Sequence, residues 1–182
     1  MISEINDETM KIMEDAINEM LPGLTMYVRD VNLPPVCAEK YKPDMIIMER
    51  GFTDASCRVM GMVTTHRFAI LSNHMADFSQ YEHGTNWGLF VANANSHFKV
   101  LDVYEYQGRT QITLLHLLDG EKWKLFENVK LAIEDQFIED CRKRFENKSV
   151  QEPVPELTTE QWLDRCAFPL GMDEKGNLFP ID

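Results

Sequence analysis

The sequence predicts an α+β fold on a single antiparallel sheet, a hairpin plus a three-stranded meander, with an N-terminal helix, a short connecting helix and a long helix packed on the sheet. Three observations carry this. WGLFVAN, HFKVLDVYEY and RTQITLLHLL are β-rich stretches parted only by the turn signals NANS and QG, as a meander requires. CRVMGMVTTHRFAILSN, at 57–73, is too long for one strand and is interrupted by TTH, which reads as a hairpin. From about Asn128 to Asn147, the residues Ile133, Phe137, Cys141 and Phe145 recur every fourth position, the apolar row of an amphipathic helix.

Taken in chain order, the first helix runs from about Ser3 or Asp7 to Met20, where Met10, Met13, Ile17 and Met20 form one stripe, and LPG ends it. LTMYV and DMIIMER are short strand candidates, separated by PPVCAEKYKP, whose prolines point to irregular extended chain. After the hairpin, Ser72 or Asn73 is a good N-cap, Asp77 falls in the first turn and Gly84 stands at the C-terminal position, so a connecting helix of about ten residues is expected. In the meander, a Gln107–Gly108 turn sets Tyr106 against Arg109, Val103 against Ile112, Leu101 against Leu114 and Phe98 against Leu117. VQEPVPE is an extended connector, TTEQ at 158–161 resembles a capping box before a short helix, and the tail FPLGMDEKGNLFPID folds back. Residues 1–182 are read as one globular domain, with an αβ core at 57–147 and a connector, short helix and tail at 148–182. The core order β-β-α-β-β-β-α resembles that of profilin-like and of GAF or PAS-like domains. No residue motif supports that likeness, and element order implies nothing about chemistry.

The composition narrows the function classes. A net charge of −12 repels phosphate backbones and anionic membranes, so neither nucleic acid nor membrane is an expected partner. No apolar run approaches the roughly 20 residues of a membrane span, and the acidic N-terminus does not resemble a secretory signal. Cys37, Cys57, Cys141 and Cys166 lack any C-x-x-C pairing, which suits reduced thiols in the cytoplasm. Phosphate-loop, dinucleotide and nucleophile-elbow motifs are absent. DEKGN lacks the oxygen-ligand alternation of a calcium loop.

Two groups of residues carry candidate chemistry. On the meander, Asp102, Tyr104, Tyr106, Arg109 and Gln111 make a polar and aromatic half-face suited to a protein partner or a small polar ligand. Five histidines lie between 66 and 116. Of these, His66, His74 and His83, with Asp77, could hold zinc or another divalent metal if a helix after the hairpin lines a cleft, with Glu82 or bound water as base. The spacing matches no metal motif, and each histidine is also explicable as a turn or helix-end residue. The sequence reading therefore favours a small acidic cytosolic binding or regulatory module without catalysis or cofactor, using the meander face; its methionine stripe and acidity permit a homodimer. The alternative is a metal-dependent hydrolase built on the histidines and aspartate of 66–83.

Overall fold

The computed structural model describes residues 7–181. Among them, eight strands form one sheet: β1 (Thr25–Val31), β2 (Ile46–Glu49), β3 (Thr53–Ser56), β4 (His66–Ser72), β5 (Ala76–Asp77), β6 (Leu89–Ala92), β7 (Ser96–Tyr106) and β8 (Arg109–His116). Their order across the sheet is β2-β7-β8-β4-β1-β3-β6-β5. Every pairing is antiparallel except β4 with β8. The helices are α1 (Asp7–Met20), α2 (Pro35–Ala38), α3 (Glu134–Ser149) and α4 (Glu160–Arg165). The fold is α+β, a largely antiparallel sheet with the N-terminal and long helices packed on it. The earlier start of α1 at Ser3 lies outside the described residues.

The sheet is covered on both faces. On one, Met20 of α1 and Cys141 of α3 pack with Leu71, Leu115 and the Trp123 and Phe126 side chains of the 3-10 segment Gly120–Phe126. On the other, Leu170 and Met172 of the tail and Cys37 of α2 close over Phe68, Ile70, Phe98, Val100 and Leu114. This double burial explains why β4 reads as a nearly continuous apolar run. The central strands still contain charge, because Asp30 accepts from Arg67 Nε and Nη2 at 2.7 and 3.0 Å and each satisfies the other inside the sheet.

Several expectations are corrected by non-local pairing. The hairpin expected at 57–73 is absent: 57–65 holds only an isolated bridge of Gly61 with Pro153, and β4 pairs with β1 and β8. β6 leaves the expected meander for the far side of the sheet, between β3 and the edge strand β5. The connecting helix is absent: Ala76–Asp77 is a strand, and the Asp77 carboxylate accepts from Ser79 N and Oγ, a local alternative to helical bonding. In chain order 57–147 still reads two strands, a 3-10 turn at Ser79–Tyr81, three strands and α3, with the turn in place of the helix. The proline-rich stretch contains the short helix α2 with Pro35 in its first turn. α3 begins at Glu134 rather than near Asn128, whose φ of 55° interrupts any helix there.

The β7–β8 hairpin keeps its expected register from Tyr106↔Arg109 to Val103↔Ile112, around a turn whose two residues both have positive φ. A bulge between Val100 and Asp102 then shifts it by one residue. Phe98 consequently faces His116 instead of Leu117. That shift positions the candidate site.

Candidate metal centre and adjoining cleft

β4 and β8 run parallel, so their carboxyl ends deliver side chains to one place. Ser72 ends β4, His74 follows it, His116 ends β8 and Asp119 lies three residues on. One ligand atom from each of His74, His116 and Asp119 lies within 4.8 Å of the others. The two imidazoles stack with centroids 3.8 Å apart, and His116 also stacks on Phe98 at 4.9 Å.

The His116 ring is fixed by two serines. Ser96 Oγ donates to Asn93 O at 2.6 Å, so it accepts from His116 Nε2 at 3.2 Å; Ser72 Oγ then donates to His116 Nδ1 at 2.7 Å. Burial, followed by the neighbouring His74, pushes the His116 pKa down to about 3. The ring is therefore neutral, the form that ligates a metal. His74 is half-buried, with Nδ1 2.9 Å from Asn73 Oδ1 and Nε2 3.1 Å from Leu117 O. Asn73 Nδ2 in turn donates to the carbonyls of Glu19 and Pro22, tying this loop to the end of α1. Asp119 is exposed, and its Oδ2 accepts from Asn93 Nδ2 at 3.3 Å.

Two nitrogens and one carboxylate oxygen form a donor set suited to zinc, iron or manganese. Exposure of Asp119 leaves solvent access for further ligands. The ring planes lie only 19° apart and all four ring nitrogens already have neighbours, so loading an ion requires each imidazole to give up one of its hydrogen bonds. The longest of these contacts are His116 Nε2 to Ser96 Oγ at 3.2 Å and His74 Nε2 to Leu117 O at 3.1 Å. The expectation of no cofactor is corrected by this cluster.

Asn93 also belongs to a neighbouring cleft of 440 Å³, lined by Phe52, Asp54, Ala76, Phe78, Leu89, Val91 and Arg165. Its origin is the register at the sheet edge, where Asp54 lies opposite Val91 and Val91 opposite Ala76, a row across β3, β6 and β5 that shares one face. α4 supplies the far wall through Arg165, whose Nε stands 3.5 Å from Asp54 Oδ2.

The structure brings only His74 of the expected metal set into the cluster. His66 Nδ1 lies 2.8 Å from Thr65 Oγ1, with its pKa lowered by burial. Asp77 is engaged by Ser79, and His83 is exposed on the loop beyond. Glu82 is not a free base: it accepts from Thr85 Oγ1 and from the backbone N–H groups of Trp87, Gly88 and Leu89. His116 and Asp119 were missed because no local spacing joins them to His74; only the parallel β4–β8 pairing does.

The meander residues divide. Asp102 accepts from Arg142 Nε and Nη2 at 2.7 Å each, Tyr104 donates to Glu146, and Gln111 donates to Cys141 O, so these three lie beneath α3. Tyr106 and Arg109, with Gln107 and Ser149, line a separate cavity of 270 Å³ at the hairpin tip. Arg109 also donates to Met62 O.

No family model matches the chain, and no curated protein matches its sequence. Solved structures similar to it include the type III effector XopAI from Xanthomonas axonopodis pv. citri, at 15% identity and a TM-score of 0.47, over 52% of this chain and 42% of that one. Exoenzyme S from Pseudomonas aeruginosa, solved with human 14-3-3 protein beta, aligns at 14% identity and a TM-score of 0.46, over 72% of this chain and 68% of that one. The Vis toxin of Vibrio splendidus, an ADP-ribosyltransferase, aligns at 12% identity and a TM-score of 0.44, over 63% of this chain and 58% of that one. This chain thus spans less than half the length of the Xanthomonas effector. The expectation of a binding module without catalysis is corrected by the metal-capable cluster that the chain gathers at His74, His116 and Asp119. Among the described residues, no helix is long and apolar enough to cross a membrane.

Proposed function

We propose that this chain is a metal-dependent hydrolase whose divalent ion is held by His74, His116 and Asp119. The observation that carries the reading is the convergence of their ligand atoms within 4.8 Å at the carboxyl ends of two parallel strands. An ion in such a site supplies a Lewis acid and lowers the pKa of a bound water toward about 7. The chain's own contributions are distinct. Ser72 and Ser96 orient the neutral His116 ring, and when one of them yields its nitrogen to the ion the other holds the ring from behind. Asn93 steadies the Asp119 carboxylate, which faces solvent and marks the side from which a small polar substrate approaches. Four free cysteines, three of them buried, support a reducing, cytoplasmic setting.

The test uses protein stripped with chelator and reloaded with zinc or manganese, assayed on 4-nitrophenyl acetate and bis(4-nitrophenyl) phosphate. Metal-dependent turnover of either substrate is expected, reduced at least 100-fold in His74→Ala and Asp119→Asn. Turnover indifferent to both the metal and the substitutions would overturn the proposal.

A further inference from the structure

We infer that the 440 Å³ cleft beside the cluster binds a small molecule that carries a planar apolar ring and a carboxylate. The ring is indicated by the walls. Phe52 and Phe78 flank the opening with 70% and 44% of their surface exposed. Large aromatic side chains cost free energy when left in water, and here two of them border one concavity whose sides are Ala76, Leu89 and Val91. A flat ring inserted between them recovers that surface and gains offset or edge-to-face contacts.

The carboxylate is indicated by the wall that α4 supplies. Arg165 approaches Asp54 through Nε only, while its guanidinium lies over the Trp87 ring at 5.1 Å. Its terminal nitrogens have no partner among the described residues. Behind Asp54 stands a second guanidinium: Arg29, 4% exposed, donates to the carbonyls of Asp54 and Phe168 at 3.1 and 3.2 Å. No carboxylate of the described residues pairs with Arg29, and its buried Nε has no partner. The cleft itself holds one guanidinium and one carboxylate, with the Arg29 charge buried nearby against the Asp54 backbone, in a protein whose net charge is −12. The fork of Arg165 matches a carboxylate in two-point contact. The Asn93 side chain also lines the cleft and offers its amide oxygen as an acceptor. The inference stands on the cleft alone and does not need the metal.

Titration calorimetry on the full chain with 3-phenylpropanoate, 3-phenylpropanamide and 2-phenylethylamine tests it. The acid should bind at least tenfold more tightly than the amide and the amine. Arg165→Met should abolish that preference, and the exposed-rim variant Phe78→Ala should weaken acid and amide alike. Because Arg165 packs on Trp87, Arg165→Lys is the control: it keeps the charge but loses the fork, and an intermediate affinity for the acid is expected. Excess chelator should leave all three affinities unchanged, which separates this inference from the metal reading. Equal binding of acid and amide, failure of the acid to bind, or loss of its binding with chelator would overturn it.

Discussion

Replacing Glu82 by Gln removes one carboxylate oxygen from the loop that leads into β6. In the native loop the two oxygens share four donors: Thr85 Oγ1 and Trp87 N on Oε1, and Gly88 N and Leu89 N on Oε2. An amide can serve only one of these pairs. Its NH₂ group then faces the other, and if that pair is Gly88 and Leu89, two buried backbone N–H groups lose their acceptor. Each such loss costs roughly 1 to 3 kcal/mol. With some of it recovered by water on a partly exposed side chain, about 3 kcal/mol is expected in all, which for a chain of this length lowers Tm by roughly 6 to 12 °C. The pH dependence has a definite sign. Burial raises the Glu82 pKa, but the four hydrogen bonds outweigh it and the folded value lies below the ordinary glutamate value. The stabilisation is therefore fully present above the unfolded value of about 4.3 and disappears as pH falls through the folded one. Thermal unfolding of the two proteins from pH 3 to 8 should show a constant gap at neutral pH that narrows in acid. Equal Tm values at pH 7, within about 1 °C, would refute the claim that this carboxylate organises the loop.

Two further substitutions test the packing that supports the site. Lys99 Nζ donates to both Glu134 oxygens and to Val129 O, fixing β7 to the start of α3; Lys99→Met should cost about 3 to 5 kcal/mol in urea unfolding, and Lys99→Met with Glu134→Leu distinctly less, because only the single variant buries an unpaired charge. A Cβ on Gly61 would sit 1.9 Å from Gln151 O, a backbone atom that cannot rotate away, so Gly61→Ala should displace the connector and cost roughly 1 to 3 kcal/mol by the same assay.

What was legible in the sequence was local. The α1 stripe from Met13 to Met20, the row Phe137, Cys141 and Phe145 of α3 and the Gln107–Gly108 turn depend on neighbours within a few residues and have counterparts in the structure. Met10 and Ile133, by contrast, are exposed, and the capping box expected at TTEQ is replaced by Thr159 accepting from Trp162 N. The hairpin register was readable up to Val103. Beyond it the bulge intervened, since Leu101 and Val100 are both apolar and periodicity cannot show which one is skipped. The strand pairings of β3, β4 and β6 were not legible, because each partner lies on a distant segment and an apolar strand does not name its neighbour. The site suffered for the same reason: His74 was visible as a candidate ligand, but its companions follow from β4 lying beside β8. The meander face looked open because α3, which supplies Arg142 and Glu146 to Asp102 and Tyr104, could not be placed over those residues from periodicity alone.

The central claim is that His74, His116 and Asp119 hold one divalent ion, and calorimetric titration of the chelator-stripped chain with zinc tests it most directly. One equivalent should bind, at least tenfold more weakly in His74→Ala and in Asp119→Asn, and with unchanged affinity in His83→Ala. No saturable binding, or binding that survives both ligand substitutions, would contradict it.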